Sequence, residues 1–246
     1  MSTKRNDEFA LEVYETSLYL AVLFSSPVQA TSIISQLLPN MYLTHLDRQR
    51  RSQPIVMLSC LHFLCTAYPS QSRFFEHLTS LPRDLISEST DTRRWLWDLA
   101  RALRQRNFAR LDQLTTWDAF SSFVASTPVR SAPSQNTSGA PENLAMEVLA
   151  TLVDTLRVKA RDTAWSVLRS AYRELSCPKF DVNQGAKEPS TTVWLRRSLL
   201  LKPVILSGDD LDELSLVDRW LAAKEADGSI RPKEGLEGRW LISKLK

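Results

Sequence analysis

The chain is poor in glycine, cysteine and histidine. Its six glycines fall at 139, 185, 208, 228, 235 and 238. Each lies in a stretch that reads as a loop or turn, so no glycine-rich cradle opens a helix and no Walker-type phosphate site is expected. The three cysteines, Cys60, Cys65 and Cys177, are an odd number in a chain without an export signal. That pattern favours free thiols in a reducing compartment. The start, "MSTKRNDEF", is charged, and Glu12 and Glu15 interrupt the apolar residues that follow, so nothing reads as a signal peptide. No run approaches the roughly 18 apolar residues a membrane span needs. The expectation is a protein of the cytoplasm and nucleus with no membrane partner, in which the sequon Asn136-Thr137-Ser138 goes unused. Hydrophobic residues at 43% and charged residues at 24% support a core without staples. A net charge of +3 is too mild to imply nucleic-acid binding, so local clustering matters more.

What is present is mostly helical periodicity. In residues 9–24, Leu11, Tyr14, Leu18 and Val22 recur in steps of three and four, with Phe9, Val13, Leu20 and Leu23 beside them. This predicts a helix with a broad buried face. Pro27 fits the first turn of a second helix over 27–38. Further helices are expected over 54–67, 70–79 and 91–105, with a restart at Phe108–Leu114. Short helices joined by tight turns suggest stacked antiparallel pairs, with no sequence repeat at a fixed period.

"ASTPVRSAPSQNTSGAPE", 125–142, reads as a mobile linker or insertion. The longest helical pattern follows over 142–175, with a stripe of Leu149, Leu152, Leu156, Ala160, Ala164, Leu168, Ala171 and Leu175 flanked by Trp165 and Tyr172. A polar loop covers 176–191. Two more helices follow, "TVWLRRSLLL" and "DDLDELSLVDRWLAAKEA", the latter with Asp209 or Asp210 as cap. The chain finishes on two short strands, Ser229–Arg231 and Arg239–Ile242. Three helices and then a two-stranded wing is the winged-helix pattern. Leu214, Val217 and Leu221 would pack inward, with Ile230, Trp240 and Ile242 covering the remaining apolar edge.

The fold class expected is all-α dominated: a helical-repeat (TPR-like) stack over 1–124, a linker at 125–141, and a long helix with a C-terminal winged helix and small β-hairpin over 142–246. This arrangement resembles the PCI domain. "RRWLWDLARALRQRNFARLDQL", "LVDTLRVKARDTAWSVLRSAYREL" and "VDRWLAAKEADGSIRPKEGLEGRWLI" are similar to segments of the small members. That group comprises COP9 signalosome subunit eight, the small proteasome-lid PCI subunit and the smallest subunit of translation initiation factor three. The likeness covers most of residues 10–246, and the family has no catalytic motif. The linker at 125–142 and the loop at 176–191 are longer than that group usually has. The stretch 153–175 also resembles the Sac3/GANP family of mRNA-export proteins, which are larger, with upstream sequence not found here. The resemblance implies a non-catalytic scaffold subunit, signalosome-like and concerned with protein ubiquitination. It would bind other PCI-domain subunits through its winged helix. The alternatives are a Sac3/GANP-type adaptor binding nucleic acid, or a proteasome-lid or initiation-factor subunit.

Candidate chemistry is sparse. Cys60, His62, Cys65 and His77 lie close in sequence, but positions 60 and 62 point about 160° apart on one helix. The stretch "IVMLSCLHFLC" reads as apolar core, where cysteine behaves as a small hydrophobe. The acidic run Asp209, Asp210, Asp212 and Glu213 reads as a helix N-terminus. No catalytic residue, cofactor-binding residue or metal ligand is assigned, and no enzyme is expected.

Basic residues are the stronger candidates. Arg93, Arg94, Arg101, Arg104, Arg106 and Arg110 face one acid, Asp98, within 18 residues. Arg157, Lys159, Arg161, Arg169 and Arg173 face Asp162 within 17. A solvated helix face explains most such runs. Arg196, Arg197 and Lys202 form a third group beside Arg231, Lys233 and Arg239 of the wing. The partner-binding set expected is Arg196, Arg197, Arg231, Lys233, Arg239 and Trp240, with Arg93, Arg94, Arg101 and Arg104 as a basic helix patch. Nucleic acid is the less favoured partner, because five acids in the first ten residues from Asp209 would repel phosphates. Trp95 and Trp97 cannot share one helix face, so one is expected at an interface. The strand "RWLIS" is expected to keep a free backbone edge.

Overall fold

The structure, a computed structural model, describes residues 2–42, 52–87, 89–125, 140–178, 190–204 and 215–244, with side chains described except at 2–8, 52, 124–125, 140–143 and 215. Most of these residues are helical, and a small three-stranded sheet completes the fold. The chain divides into two compact units, one of Met1–Arg101 with Leu114–Leu156, the other of Ala102–Gln113 with Arg157–Lys246. The division thus falls within the long helix, away from the linker expected at 125–141. Residues 126–139 of that linker lie outside the described residues, as do 179–189, the acidic run 209–213 and Leu214.

The first unit starts with α1 (Ser2–Leu23) and α2 (Pro27–Gln36), where Pro27 occupies the first turn as its fixed φ favours. A π-type turn, Leu37–Met41, ends α2. Then come α3 (Ser52–Ala67), α4 (Ser72–Ser80), α5 (Asp91–Arg104), α6 (Phe108–Leu114) and α7 (Trp117–Ala125). Within the unit, α1 packs on α2, α2 on α3, and α3 on both α4 and α7. Helix α3 is apolar almost all round, and every residue from Ile55 to His62 is buried. A helix with no polar face belongs at the centre of a core. Helix α5 is two-faced, with Trp95, Leu96, Leu99 and Ala100 buried and Arg94, Trp97 and Arg101 outside. The indole of Trp95 donates to the Leu114 carbonyl at 2.9 Å, and Trp97 is the exposed one of the pair.

The long helix α8 (Ala140–Ala171) buries Leu149, Leu152 and Leu156 in the first unit and Ala160, Ala164 and Leu168 in the second. It stops four residues before the expected 175. Pro178 cannot continue a helix and drives Cys177 to extended geometry. The segment before it becomes strand β1 (Glu174–Ser176), and Ala171 is exposed rather than part of the stripe. Then follow α9 (Ser190–Ser198), α10 (Ser215–Ala226), β2 (Ile230–Pro232) and β3 (Arg239–Ile242). The sheet is antiparallel in the order β1-β3-β2. Leu175 lies opposite Trp240, and Arg231 opposite Leu241. One core joins Trp165, Leu168, Leu175, Leu195, Leu199, Val217, Trp220, Leu221 and Ile230, with Trp240 and Ile242 packed against it. Trp165 and Trp220 meet edge to face at 4.9 Å.

Two expectations need correcting. The first helix is narrower on its buried side than its apolar count suggested, since Phe9, Val13 and Leu20 are exposed. And β3 has no free edge, because β1 and β2 pair with its two sides.

Candidate interaction surfaces

The wing is organised by an acid that the sequence reading passed over. Glu174 on β1 accepts a hydrogen bond from Lys233 and lies 3.6 Å from Arg239 Nη1. The Lys233 bond, with the charges of Lys233 and Arg239, holds its carboxyl below the usual range. Two of the expected partner-binding cations are therefore engaged inside the sheet. Arg231 is exposed, while Arg196 and Arg197 are half-buried in the last turn of α9, where cations suit the negative helix end. Trp240 is half-buried against the core, with an indole N–H that finds no acceptor among the described residues.

The arginines of α8 face inward, against the expected solvated face. Arg157 is 2% exposed and donates to Asp112 Oδ1 at 2.8 Å and to the Lys202 carbonyl at 2.7 Å. Arg161 donates to the carbonyls of Leu199 and Leu200, just past the end of α9. Arg169 donates to the Ser243 carbonyl after β3 and stands over the Trp165 ring. These guanidiniums satisfy chain-end carbonyls that α9 and β3 leave open. Their work is internal. In α5 and beyond, Arg94, Arg101, Arg104, Arg106 and Arg110 are exposed and Arg93 is half-buried, with Arg94 paired to Asp91 at 2.8 Å.

The cysteine–histidine group is packed into the first unit. Cys60 and Cys65 are buried, and burial pushes the Cys60 thiol up to about 12. His77 Nε2 lies 2.8 Å from Ser59 Oγ, which invites a nucleophile–base reading. The protons run the other way. Ser59 spends its only hydroxyl proton on the Val56 carbonyl, so His77 must donate to it. Thr31 likewise donates to the Pro27 carbonyl and accepts from His62. Both imidazoles are thus donors in a partly buried network. Burial lowers each to about 4, His77 with a further contribution from His62. No cluster of three or more His, Cys, Asp or Glu suited to a metal occurs among the described residues, and no described helix is long and apolar enough to cross a membrane.

The backbone edges are the remaining surface. Ile242 N–H donates to Arg173 O, and Cys177 N–H to Gly238 O. Alternation then turns the N–H and C=O of Glu174 and Ser176 away from β3. On the other side, Ser243 N–H donates to Ser229 O and Lys233 N–H to Arg239 O, so Ile230 and Pro232 point outward. Pro232 has no N–H, which blunts the β2 edge. The β1 edge keeps both donors and both acceptors, with no partner strand among the described residues. Compared with protein-family models, curated proteins and solved structures, the chain matches none.

Proposed function

We propose that this protein is a non-catalytic scaffold subunit of a multiprotein complex, with a PCI-type winged helix as its second unit. The observation that carries the reading is the order α8, β1, α9, α10, β2, β3 with β3 between the other two strands. A three-helix core closed by such a sheet is how a winged helix buries its apolar side. The signalosome-like assignment, with a role in protein ubiquitination, rests on the sequence resemblance alone.

In this reading other PCI-domain subunits add a strand to the outer edge of β1, a mode in which main-chain bonds give affinity. Arg196, Arg197 and Arg231 steer an acidic neighbour. Nucleic acid is disfavoured because Glu174 engages Lys233 and Arg239. The test is affinity purification of the full chain from its source with quantitative mass spectrometry, beside titration of a fluorescent single-stranded oligonucleotide at two salt concentrations. Stoichiometric protein partners without salt-sensitive oligonucleotide binding are expected. Tight oligonucleotide binding by a chain lacking stoichiometric partners would favour the export-adaptor reading instead.

A further inference from the structure

Two aromatic rings stand exposed where β1 begins. Tyr172, two residues before Glu174, is 48% exposed, and Trp194 on α9 is 39% exposed. They meet edge to face with centroids 5.8 Å apart. Neither belongs to the core that Trp165, Leu168 and Leu195 share, so the pair is additional to what closes the second unit. The Tyr172 ring meets α9, although the backbone of the next residue, Arg173, already bonds Ile242 of β3. The charges around the rings are nearly of one sign. Across residues 169–178 and 190–198 they are Arg169, Arg173, Arg196 and Arg197 against Glu174, which Lys233 and Arg239 engage. Arg173 is exposed and pairs with no acid among the described residues.

We infer that this aromatic pair and the outer edge of β1 form one site for an extended, acidic peptide segment of a partner protein, with a large apolar side chain seated against Tyr172 and Trp194. The inference rests on the strand-addition reading and adds what the incoming strand must carry. The outward N–H groups of Glu174 and Ser176 lie roughly 7 Å apart, as two strand residues do. A strand that bonds them and continues past Glu174, at about 3.3 Å per residue, comes level with Tyr172 after two more residues. The backbone edge supplies affinity without regard to sequence, and the rings supply the preference for one side chain. Tyrosine and tryptophan suit that task, because each offers a large contact area on only two rotatable bonds.

Two observations select this occupant. Single-stranded nucleic acid would stack on the rings and pair with the arginines. To the β1 edge, however, its backbone offers phosphate acceptors and no regular row of donors, so the outward carbonyls of Glu174 and Ser176 would stay unmet. Another peptide strand carries donors and acceptors in the alternation this edge presents. Charge then fixes the composition of that strand, since four arginines face a single engaged acid and attract carboxylates. Arg197 lies three residues past Trp194 on the same side of α9, and Arg173 follows Tyr172. An acid on either flank of the apolar side chain therefore finds a guanidinium.

The test is selection of phage-displayed random dodecapeptides on the immobilised full chain, then fluorescence anisotropy of the selected peptides and of oligothymidylate at low and high salt. Tyr172→Ser, Arg173→Glu and Ser176→Pro are the variants, each matched to the wild type by circular dichroism. Enriched peptides are expected to carry acids beside a large apolar residue and to bind more weakly at high salt. Tyr172→Ser and Arg173→Glu should each weaken them by about fivefold or more. Ser176→Pro should abolish their binding. An absence of enrichment over a blank surface would overturn the inference. So would enriched peptides that are basic or indifferent to Tyr172→Ser, or oligothymidylate bound more tightly than the peptides and unaffected by Ser176→Pro. Failure of the scaffold reading shows separately, as a wild-type chain that purifies without stoichiometric partners.

Discussion

Leu175 stands opposite Trp240, with Glu174 opposite Leu241 and Ser176 opposite Arg239. Through this register the strand before α9 ties the last strand of the chain to the second unit. Trp240 packs against the core to which Leu175 belongs. The hairpin alone would be a marginal two-stranded ribbon, and the third strand makes it part of the fold.

The two wing glycines should respond differently to alanine. Both have positive φ, +75° at Gly235 and +74° at Gly238. A Cβ at 235 meets nothing within 4 Å, whereas one at 238 would sit 2.5 Å from Pro178 Cα and 2.9 Å from the Cys177 carbonyl oxygen. Gly235→Ala should cost about 1–2 kcal/mol from backbone strain alone. Gly238→Ala should cost clearly more, because backbone must move and the Cys177–Gly238 hydrogen bond is strained. Urea denaturation of the two variants measures the difference, and equal midpoints would contradict the close approach.

Arg157 should be among the costliest side chains of the second unit to truncate. It is almost wholly buried, bonded to Asp112 and to the Lys202 carbonyl. Arg157→Ala would take this partner from both Asp112 and the Lys202 carbonyl, for a loss of about 3–5 kcal/mol. Exposed Arg101→Ala should change stability by less than about 0.5 kcal/mol. Thermal unfolding of both variants checks the contrast.

Acid should weaken the first unit through its histidines. His62 and His77 titrate near 4 when folded, against about 6.5 ordinarily. Between those values the unfolded chain binds more protons than the folded one. Their contribution is therefore full above about pH 6.5 and is lost as pH falls toward 4, up to about 3 kcal/mol per histidine. Denaturation midpoints at pH 7.5, 6 and 5 should fall in that order. The fall should be shallower in His62→Gln, whose amide can still donate to Thr31. A midpoint flat from pH 7.5 to 5 would contradict the buried neutral pair.

Much of this architecture is legible in the residues. Pro27, the apolar run at 55–65 and the two-faced pattern at 91–104 each set one helix, and Gly228, Gly235 and Gly238 mark the wing turns. Strand β1 was hidden because three residues cannot display alternation, and Leu175 continues the stripe of α8 as readily as it begins a strand. Pro178 was the available signal. The inward turn of Arg157, Arg161 and Arg169 was not legible, because periodicity places a residue on a face without revealing that open carbonyls wait there. Glu174 was overlooked for the same reason: its partners, Lys233 and Arg239, are some sixty residues away. Exposed Phe9, Val13 and Leu20 read as part of a buried face because an apolar side chain looks the same in sequence whether or not a neighbour covers it.

Deleting residues 228–246 would test assembly poorly, because that removes the middle strand and Ile230 from the core. Ser176→Pro is cleaner. Ser176 N–H points away from β3, so proline breaks no bond within the sheet and blocks only the outer edge. The decisive measurement is quantitative mass spectrometry of proteins co-purifying with the wild-type chain and with Ser176→Pro, matched for circular dichroism. The scaffold account predicts stoichiometric partners on the wild type and their loss, by tenfold or more, on the variant. A wild-type chain that purifies without stoichiometric partners, or a folded variant that keeps them all, would contradict it.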